Sequence, residues 1–168
     1  MTESNGRSRQ AERIVRLEGM EDFRRYCCEF ASRALHSLEI TSHDLDGALF
    51  DQQHFLDAVK NLCLRNHLNR LRILLQDNTQ VQRQGHRLVG LSRRLPSSIE
   101  IRKPHSDYTD QENFLIVDRT AFIRWRVSSR YQGTASHRDL LQSRRLSDLF
   151  NEIWQRSQPD SDLRRLHL

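Results

Sequence analysis

The chain has 168 residues, of which 29% are charged and 36% hydrophobic, and its formal net charge at pH 7 is +5. This length is typical of one domain with its own core, and no apolar stretch approaches the roughly 20 residues that span a bilayer. The positive charge favours an anionic partner. Nearly all of it is arginine, because Lys60 and Lys103 are the only lysines, and a GC-rich genome produces the same bias.

Residues 1–12 are polar and predict a disordered tail that lacks the apolar segment of a secretory signal. Residues 13–168 predict a single domain. The three cysteines, Cys27, Cys28 and Cys63, do not have zinc-ligand spacing, and adjacent cysteines rarely bridge to each other. We therefore expect reduced thiols in a cytoplasmic protein.

The sequence of the first half of the domain predicts two units, each of which is a helix followed by a strand. Apolar residues at three- and four-residue spacing predict a helix over 19–37, which is followed by an alternating strand over 38–42 and a polar loop over 43–47. Asp51 is placed to cap a second helix. The nearly continuous apolar centre of 70–77 predicts a buried strand of the kind found at parallel positions.

The second half predicts a third helix, three strands and a long closing helix. Their ranges are 78–95, 99–102, 114–117, 121–126 and 137–156. Alternating helices and strands with short connections favour a three-layer α/β domain, in which helices flank a mixed, mostly parallel sheet.

The strands 114–117 and 121–126 form a predicted hairpin with a distinctive pattern. Gln111 and Asn113 precede the first strand, and Asp118 follows it. This arrangement resembles the His-x-Lys-x-x-x-x-Asp motif of the phospholipase D superfamily. Asp118 matches the aspartate, whereas Gln111 stands at the histidine position and Asn113 at the lysine position.

The order of elements over residues 20–156 is also similar to one half of a phospholipase D fold. Trp125 and Arg126 stand where that family carries Gly-Ser. The chain further resembles C-terminal domains that are fused to acetyltransferase-type domains in proteobacterial proteins. These resemblances imply a phospholipase D-like fold, a bacterial source and a homodimer in which two motif strands meet at a two-fold axis.

The substitutions in the motif argue against catalysis by the family mechanism. Phosphoryl transfer needs an attacking group and electrostatic stabilisation of the phosphate. Gln111 cannot act as a nucleophile or shuttle protons, and Asn113 carries no charge. The sequence therefore predicts a pseudoenzyme, which is a non-catalytic binding or regulatory module without cofactor or metal, whose partner is an unidentified protein or a phosphate-containing ligand.

Polar residues near strand ends form a candidate pocket for such a ligand, since ligands of open α/β sheets bind beyond the carboxyl ends of the strands. The candidates are His43, Arg102, Lys103, His105, Asp118 and Arg126. The two histidines are equally typical of ordinary polar loops, and an aspartate at the start of a hairpin turn caps backbone amides.

Two alternative functions stay open at this point. A nucleic-acid-binding protein would use Arg83, Arg87 and Arg94 of the third helix to contact phosphates, although the same residues could simply form a solvated face. A divergent phosphodiesterase would use His43 or His105 with Asp118.

Overall fold

An eight-stranded sheet runs through residues 13–108 and 112–164, the part of the chain that this computed structural model describes. In chain order the strands are β1 (Ile14–Glu18), β2 (Ser37–Ser42), β3 (Arg70–Leu75), β4 (Ile99–Lys103), β5 (Glu112–Val117), β6 (Ala121–Arg126), β7 (Gln132–Ser136) and β8 (Gln158–Pro159). Their order across the sheet is β1-β7-β6-β5-β2-β3-β4-β8. The predicted tail, residues 1–12, lies outside the described residues.

The sheet is mixed, as predicted, but it is less parallel than predicted. Strand β2 pairs parallel with β3, and β3 pairs parallel with β4. The other neighbouring pairs in the described residues are antiparallel. The difference arises because β5 pairs antiparallel with β2 as well as with β6, and because β1, β7 and β8, which the sequence did not indicate, also join the sheet by antiparallel pairing.

Helices cover both faces of the sheet, which confirms the predicted three-layer α/β class. They are α1 (Met20–Arg33), α2 (Gly47–Phe50), α3 (Gln53–Arg65), α4 (Thr79–Gln84), α5 (Arg87–Arg94), α6 (Leu140–Gln155) and α7 (Ser161–Arg164). The larger core lies between the sheet and α1, α3 and α5, whereas α6 packs on the opposite face against β2, β5 and β6. Among the described residues, none of these helices has the length and apolar character needed to cross a membrane.

Two predicted helix boundaries are wrong. Asp51 does not cap α3, because it lies at the C-terminal end of the short helix α2. The Asp46 side chain caps the start of α2, where it accepts the N–H of Ala48 at 2.9 Å. The predicted helix over 78–95 is two helices, since α4 ends at Gly85, whose φ of 71° favours glycine.

The apolar periodicity of the helices accounts for the two cores. Phe23, Cys27 and Phe30 of α1 are buried against the sheet, at spacings of four and three residues. On the other face, Phe150 and Trp154 of α6 are buried four residues apart. Burial of each such ring stabilises the fold by roughly 1.5–3 kcal/mol.

A buried ion pair joins α6 to the centre of the sheet. The Glu39 carboxylate of β2 is 4% exposed, and its Oε1 accepts the hydroxyl of Ser147 at 3.0 Å. Arg72 of β3 lies 3.6 Å from Glu39, donates to Asn151 Oδ1 at 2.8 Å and packs over the Phe150 ring at 5.0 Å. Burial raises the pKa of Glu39 above its ordinary value, while Arg72 and Ser147 act in the opposite direction.

Gly133 allows β7 to approach β6 closely. A Cβ atom at this position would lie 2.2 Å from the carbonyl oxygen of Arg124 and 2.8 Å from the Cβ of Trp125. We expect Gly133→Ala to lower the free energy of unfolding by about 2–3 kcal/mol, because the strands must separate. Urea denaturation would measure the loss.

Gly90→Ala is the matched control for this change. Gly90 lies inside α5, and a Cβ there would meet no atom within 4 Å. Alanine at this position should raise the free energy of unfolding by up to about 1 kcal/mol. A Gly133→Ala protein as stable as the unsubstituted chain would show that the β6–β7 contact tolerates a side chain.

Candidate functional site

The candidate site lies at one edge of the sheet, where β2, β3 and β4 end and β5 begins. The pairing of Thr41 with Phe114 brings His43, which follows β2, beside Asn113. Asp77, which follows β3, donates its backbone N–H to the carbonyl oxygen of His43 at 2.7 Å. This is the edge at which an open α/β sheet binds ligands.

Asn113 stands at the lysine position of the motif that the chain resembles, and its side chain is buried. It is 7% exposed, and its Oδ1 accepts the backbone N–H of His43 at 2.9 Å. This hydrogen bond ties the start of β5 to the chain that leaves β2. The amide therefore holds backbone in place and offers no positive charge to a phosphate. Gln111, at the histidine position, lies outside the described residues.

His43 and Lys103 both lie near the carboxylate of Asp77. The Oδ1 atom of Asp77 accepts the N–H and the hydroxyl of Thr79 at 2.9 and 2.6 Å. These two hydrogen bonds lower the pKa of Asp77, and the charges of His43 and Lys103 lower it further. The Nδ1 atom of His43 is buried and has no hydrogen-bond partner among the described residues.

Arg102 faces α6. Its Nε donates to Glu100 Oε1 at 2.9 Å, and its Nη1 donates to the carbonyl oxygen of Trp154 at 3.2 Å. The guanidinium also lies 4.3 Å from the centroid of the Trp154 ring. These contacts fix the end of α6 against β4, so the guanidinium that was predicted to bind a ligand is engaged within the fold.

His105 belongs to an exposed cluster beside α6. Its Nδ1 accepts the backbone N–H of Asp107 at 3.1 Å, and the carboxylate of Asp107 pairs with Arg156 at 2.8 Å. The hydrogen bond from Arg156 lowers the pKa of Asp107. The guanidinium of Arg156 lies 5.4 Å from the Tyr108 ring. The hydrogen bond from the Asp107 backbone therefore fixes the orientation of the His105 ring.

Asp118 lies at the opposite edge of the sheet, because β5 runs antiparallel to β2. Its carboxylate accepts the backbone N–H groups of Leu35, His36 and Ser37 at 2.8, 2.8 and 2.9 Å. The structure therefore does not bring Asp118 together with His43. These three hydrogen bonds make the aspartate a clamp between the hairpin and the start of β2.

Arg126 ends β6 at the candidate edge, opposite Glu112. Its side chain is exposed and lines a groove that extends away from His43, over β1, β6 and β7. Of the predicted ligand set, the structure thus brings His43 and Lys103 close to one carboxylate and places the other side chains in separate surroundings.

The arginines of the alternative prediction lie on two helices. Arg83 is on α4, whereas Arg87 and Arg94 are on α5, and Gly85 separates the two. The Nε atom of Arg87 donates to Asp51 Oδ1 at 2.6 Å, whereas Arg83 and Arg94 are exposed. The prediction of one basic helix over 78–95 is therefore wrong, although exposed arginines remain on both pieces.

A second groove beside this edge, of about 400 Å³, was not indicated by the sequence beyond a run of closely spaced acidic residues after β2. Its ionisable lining residues are Asp44, Asp46, Asp51, His86 and Arg130. The hydroxyl of Tyr131 donates to Asp46 at 2.7 Å, and burial, followed by the charge of Asp46, raises the pKa of Asp44. In the part of the chain that the structure describes, no group of His, Cys, Asp or Glu side chains is arranged to hold a metal ion.

Several solved structures share this fold. An archaeal chromatin protein, TrmBL2, with a described novel mode of DNA binding, has a TM-score of 0.63 and 16% identity over 90% of this chain and 55% of its own. NucT from Helicobacter pylori has a TM-score of 0.63 and 10% identity, covering 88% of this chain and 98% of its own. Nuc from Salmonella typhimurium, a phospholipase D family member, has a TM-score of 0.60 and 9% identity, with coverages of 88% and 97%.

These likenesses confirm the predicted phospholipase D-like fold, and identities this low show the fold alone. The chain spans just over half the length of the TrmBL2 chain. No curated protein matches the sequence. A family model with the description Domain of unknown function (DUF7931) matches residues 19–166. Because that match extends from α1 to beyond α7, the chain belongs to the DUF7931 family.

Proposed function

We propose that the chain is a non-catalytic binding module on a phospholipase D-like scaffold. The observation that carries this proposal is the state of Asn113, whose buried amide holds the N–H of His43 at the position where the resembled motif has a lysine. A neutral side chain that is occupied by backbone cannot stabilise a transferred phosphate.

Two of the side chains that a divergent phosphodiesterase would need are engaged with other groups of the described chain. A nucleophile must lie within reach of a base and of positive charge that holds the phosphate. His105 is engaged with Asp107 at 3.1 Å, and Arg102 is engaged with Glu100 and the end of α6. Gln111 supplies neither a nucleophile nor a charge. A divergent phosphodiesterase is therefore the less supported alternative.

A turnover assay tests this proposal. With bis(p-nitrophenyl) phosphate as substrate, we expect the purified chain, His43→Ala and His105→Ala to give the same background rate. Turnover by the unsubstituted chain that is lost in His43→Ala or His105→Ala, while circular dichroism shows both variants folded, would establish an enzyme and overturn the proposal.

Nucleic acid is the second candidate partner. The formal charge of +5 supports it, and so does the shared fold with TrmBL2, which is described as a DNA-binding chromatin protein. Exposed arginines without a hydrogen bond or ion pair occur in several parts of the described chain, among them Arg16 and Arg126. A homodimer and a cytoplasmic location remain predictions from the sequence.

A further inference from the structure

On the face of the sheet that α6 covers, no helix of the described residues lies over β1 and β7. Helix α6 covers β2, β5 and β6, and the sheet extends beyond it through β7 to β1. Along this extension lies a groove of about 670 Å³. Residues of β1, β5, β6 and β7 line it, together with the turn that joins β6 to β7.

The strand register places arginines side by side in this groove. Arg16 of β1 pairs with Thr134 of β7, which in turn pairs with Arg124 of β6. Arg126 lies two residues beyond Arg124, and side chains two residues apart share a face of a strand. Three guanidinium groups from two strands therefore line the same groove.

Two of these arginines are available to a ligand. Arg124 forms a two-pronged ion pair with Glu112, in which Nη2 donates to Oε2 at 2.9 Å. Arg16 and Arg126 are exposed and have no hydrogen-bond or ion-pair partner among the described residues. Three arginines against Glu18 and Glu112 leave one net positive charge in the groove, and the negative charge of Glu112 is directed at Arg124.

The neutral lining residues suit contacts with phosphates. The hydroxyl groups of Ser129 and Thr134 and the amide of Gln132 are hydrogen-bond donors of the kind that bind phosphate oxygens. The Trp125 ring packs edge-on against Phe23 in the core, at 5.2 Å between centroids. No aromatic ring is thus presented for stacking with bases among the residues that line the groove.

We propose that this open sheet face binds the sugar-phosphate backbone of nucleic acid, without sequence preference. The inference rests on the second candidate function above, and it assigns that function to β1, β6 and β7. Positively charged side chains that contact phosphates release counterions, so each contact adds to the salt dependence of binding. Arg83, Arg87 and Arg94 lie on another surface and are not part of this site.

A pair of charge-matched variants tests the assignment. Arg16→Glu/Arg126→Glu and Arg83→Glu/Arg94→Glu each replace two exposed arginines, and each lowers the formal net charge by four, from +5 to +1. Fluorescence anisotropy with a short, mixed-sequence, labelled DNA duplex would give affinity over a series of salt concentrations. We expect the first variant to bind at least about tenfold more weakly at moderate salt, with a log–log salt slope smaller by about 2. The second variant should bind within about twofold of the unsubstituted chain, because a difference of that size is what overall charge alone contributes at moderate salt.

Each alternative result has a defined meaning. Equal losses in both variants, or a larger loss in Arg83→Glu/Arg94→Glu, would overturn the assignment to the sheet face. If the unsubstituted chain does not bind the DNA duplex at any salt concentration, the nucleic-acid function itself is overturned. If light scattering shows a dimer that only Arg16→Glu/Arg126→Glu dissociates while its DNA affinity is unchanged, the face binds a second copy, and the proposal is wrong. Arg16→Gln/Arg126→Gln, with the same expected change in slope, replaces the first variant if circular dichroism shows it to be unfolded.

Discussion

Asp118→Ala should lower the free energy of unfolding by about 3–4 kcal/mol. The substitution removes the acceptor of three backbone N–H groups, from Leu35, His36 and Ser37. Hydrogen bonds to a charged group contribute about 1.5–3 kcal/mol each when buried and less where water competes, as it does here for two of the three. Asp118 also has a φ of 51°, which aspartate tolerates and alanine does not, at a further cost of about 1 kcal/mol.

Asp148→Ala is the control for this experiment. Asp148 forms an exposed ion pair with Arg119 of the same hairpin turn, at 3.1 Å. Removal of such a pair should change the free energy of unfolding by less than about 0.5 kcal/mol. Guanidinium denaturation of both variants would measure the difference. If Asp118→Ala were as stable as Asp148→Ala, the carboxylate would be free for a ligand, which is the other role that the sequence predicts for it.

The role of Asp118 could be predicted from the sequence, but its hydrogen-bond partners could not. A turn aspartate that caps backbone amides was one of the two interpretations of its position, and a capping carboxylate is what the structure contains. The amides, however, belong to residues 35–37, about 80 positions earlier in the chain. Pairing across such a distance depends on strand order, which local pattern does not contain.

The predicted strands share one property, which is that their apolar residues occur in a run or at alternate positions. β2, β3 and β5 were located within about two residues, because their apolar residues alternate with polar ones in β2 and form a run of at least three in β3 and β5. β7 reads Gln-Gly-Thr-Ala-Ser and is buried only at its last two residues. It becomes a strand because β1 and β6 pair with it on either side, and Gly133 lets β6 approach. Propensity is a weak guide where tertiary pairing decides.

Only part of the candidate site could be predicted, because the rest depends on how strands and helices pack in three dimensions. His43 and Lys103 follow buried strands, so their presence at one edge could be inferred from the α/β order. Arg102 could not be assigned in this way, because its contact with Trp154 depends on where the closing helix crosses β4. The groove over β1, β6 and β7 could not be inferred either, since two of its strands were not recognised.

Arg72→Met should be the other strongly destabilising change, lowering the free energy of unfolding at neutral pH by about 3–5 kcal/mol. It leaves the carboxylate of Glu39, which is 4% exposed, without its cation. Breaking a buried pair by removing one partner is costly for this reason. The variant also loses the hydrogen bond to Asn151 and the packing of the guanidinium over the Phe150 ring.

The pH dependence of this loss identifies its cause. The folded-state pKa of Glu39 is already raised above its ordinary value of 4.5, so its contribution to stability is fully present below that value and is lost as the pH rises. Removal of Arg72 takes away the largest opposing influence and raises this pKa further. The deficit of Arg72→Met should therefore be smallest near about pH 4, where Glu39 is neutral in both proteins, and should grow towards neutral pH.

The double variant Arg72→Met/Glu39→Gln separates charge from packing. If the uncompensated carboxylate dominates, this protein should be more stable at neutral pH than Arg72→Met by about 2 kcal/mol, which is within the range for groups in direct contact. Its deficit relative to Glu39→Gln should also be independent of pH. A deficit in Arg72→Met that is equally large at about pH 4 and at neutral pH would assign the loss to the Asn151 and Phe150 contacts instead. In either case the result measures how firmly α6 is held to the sheet beside the candidate site, because Arg72 and Glu39 are the charged groups that join β2 and β3 to that helix.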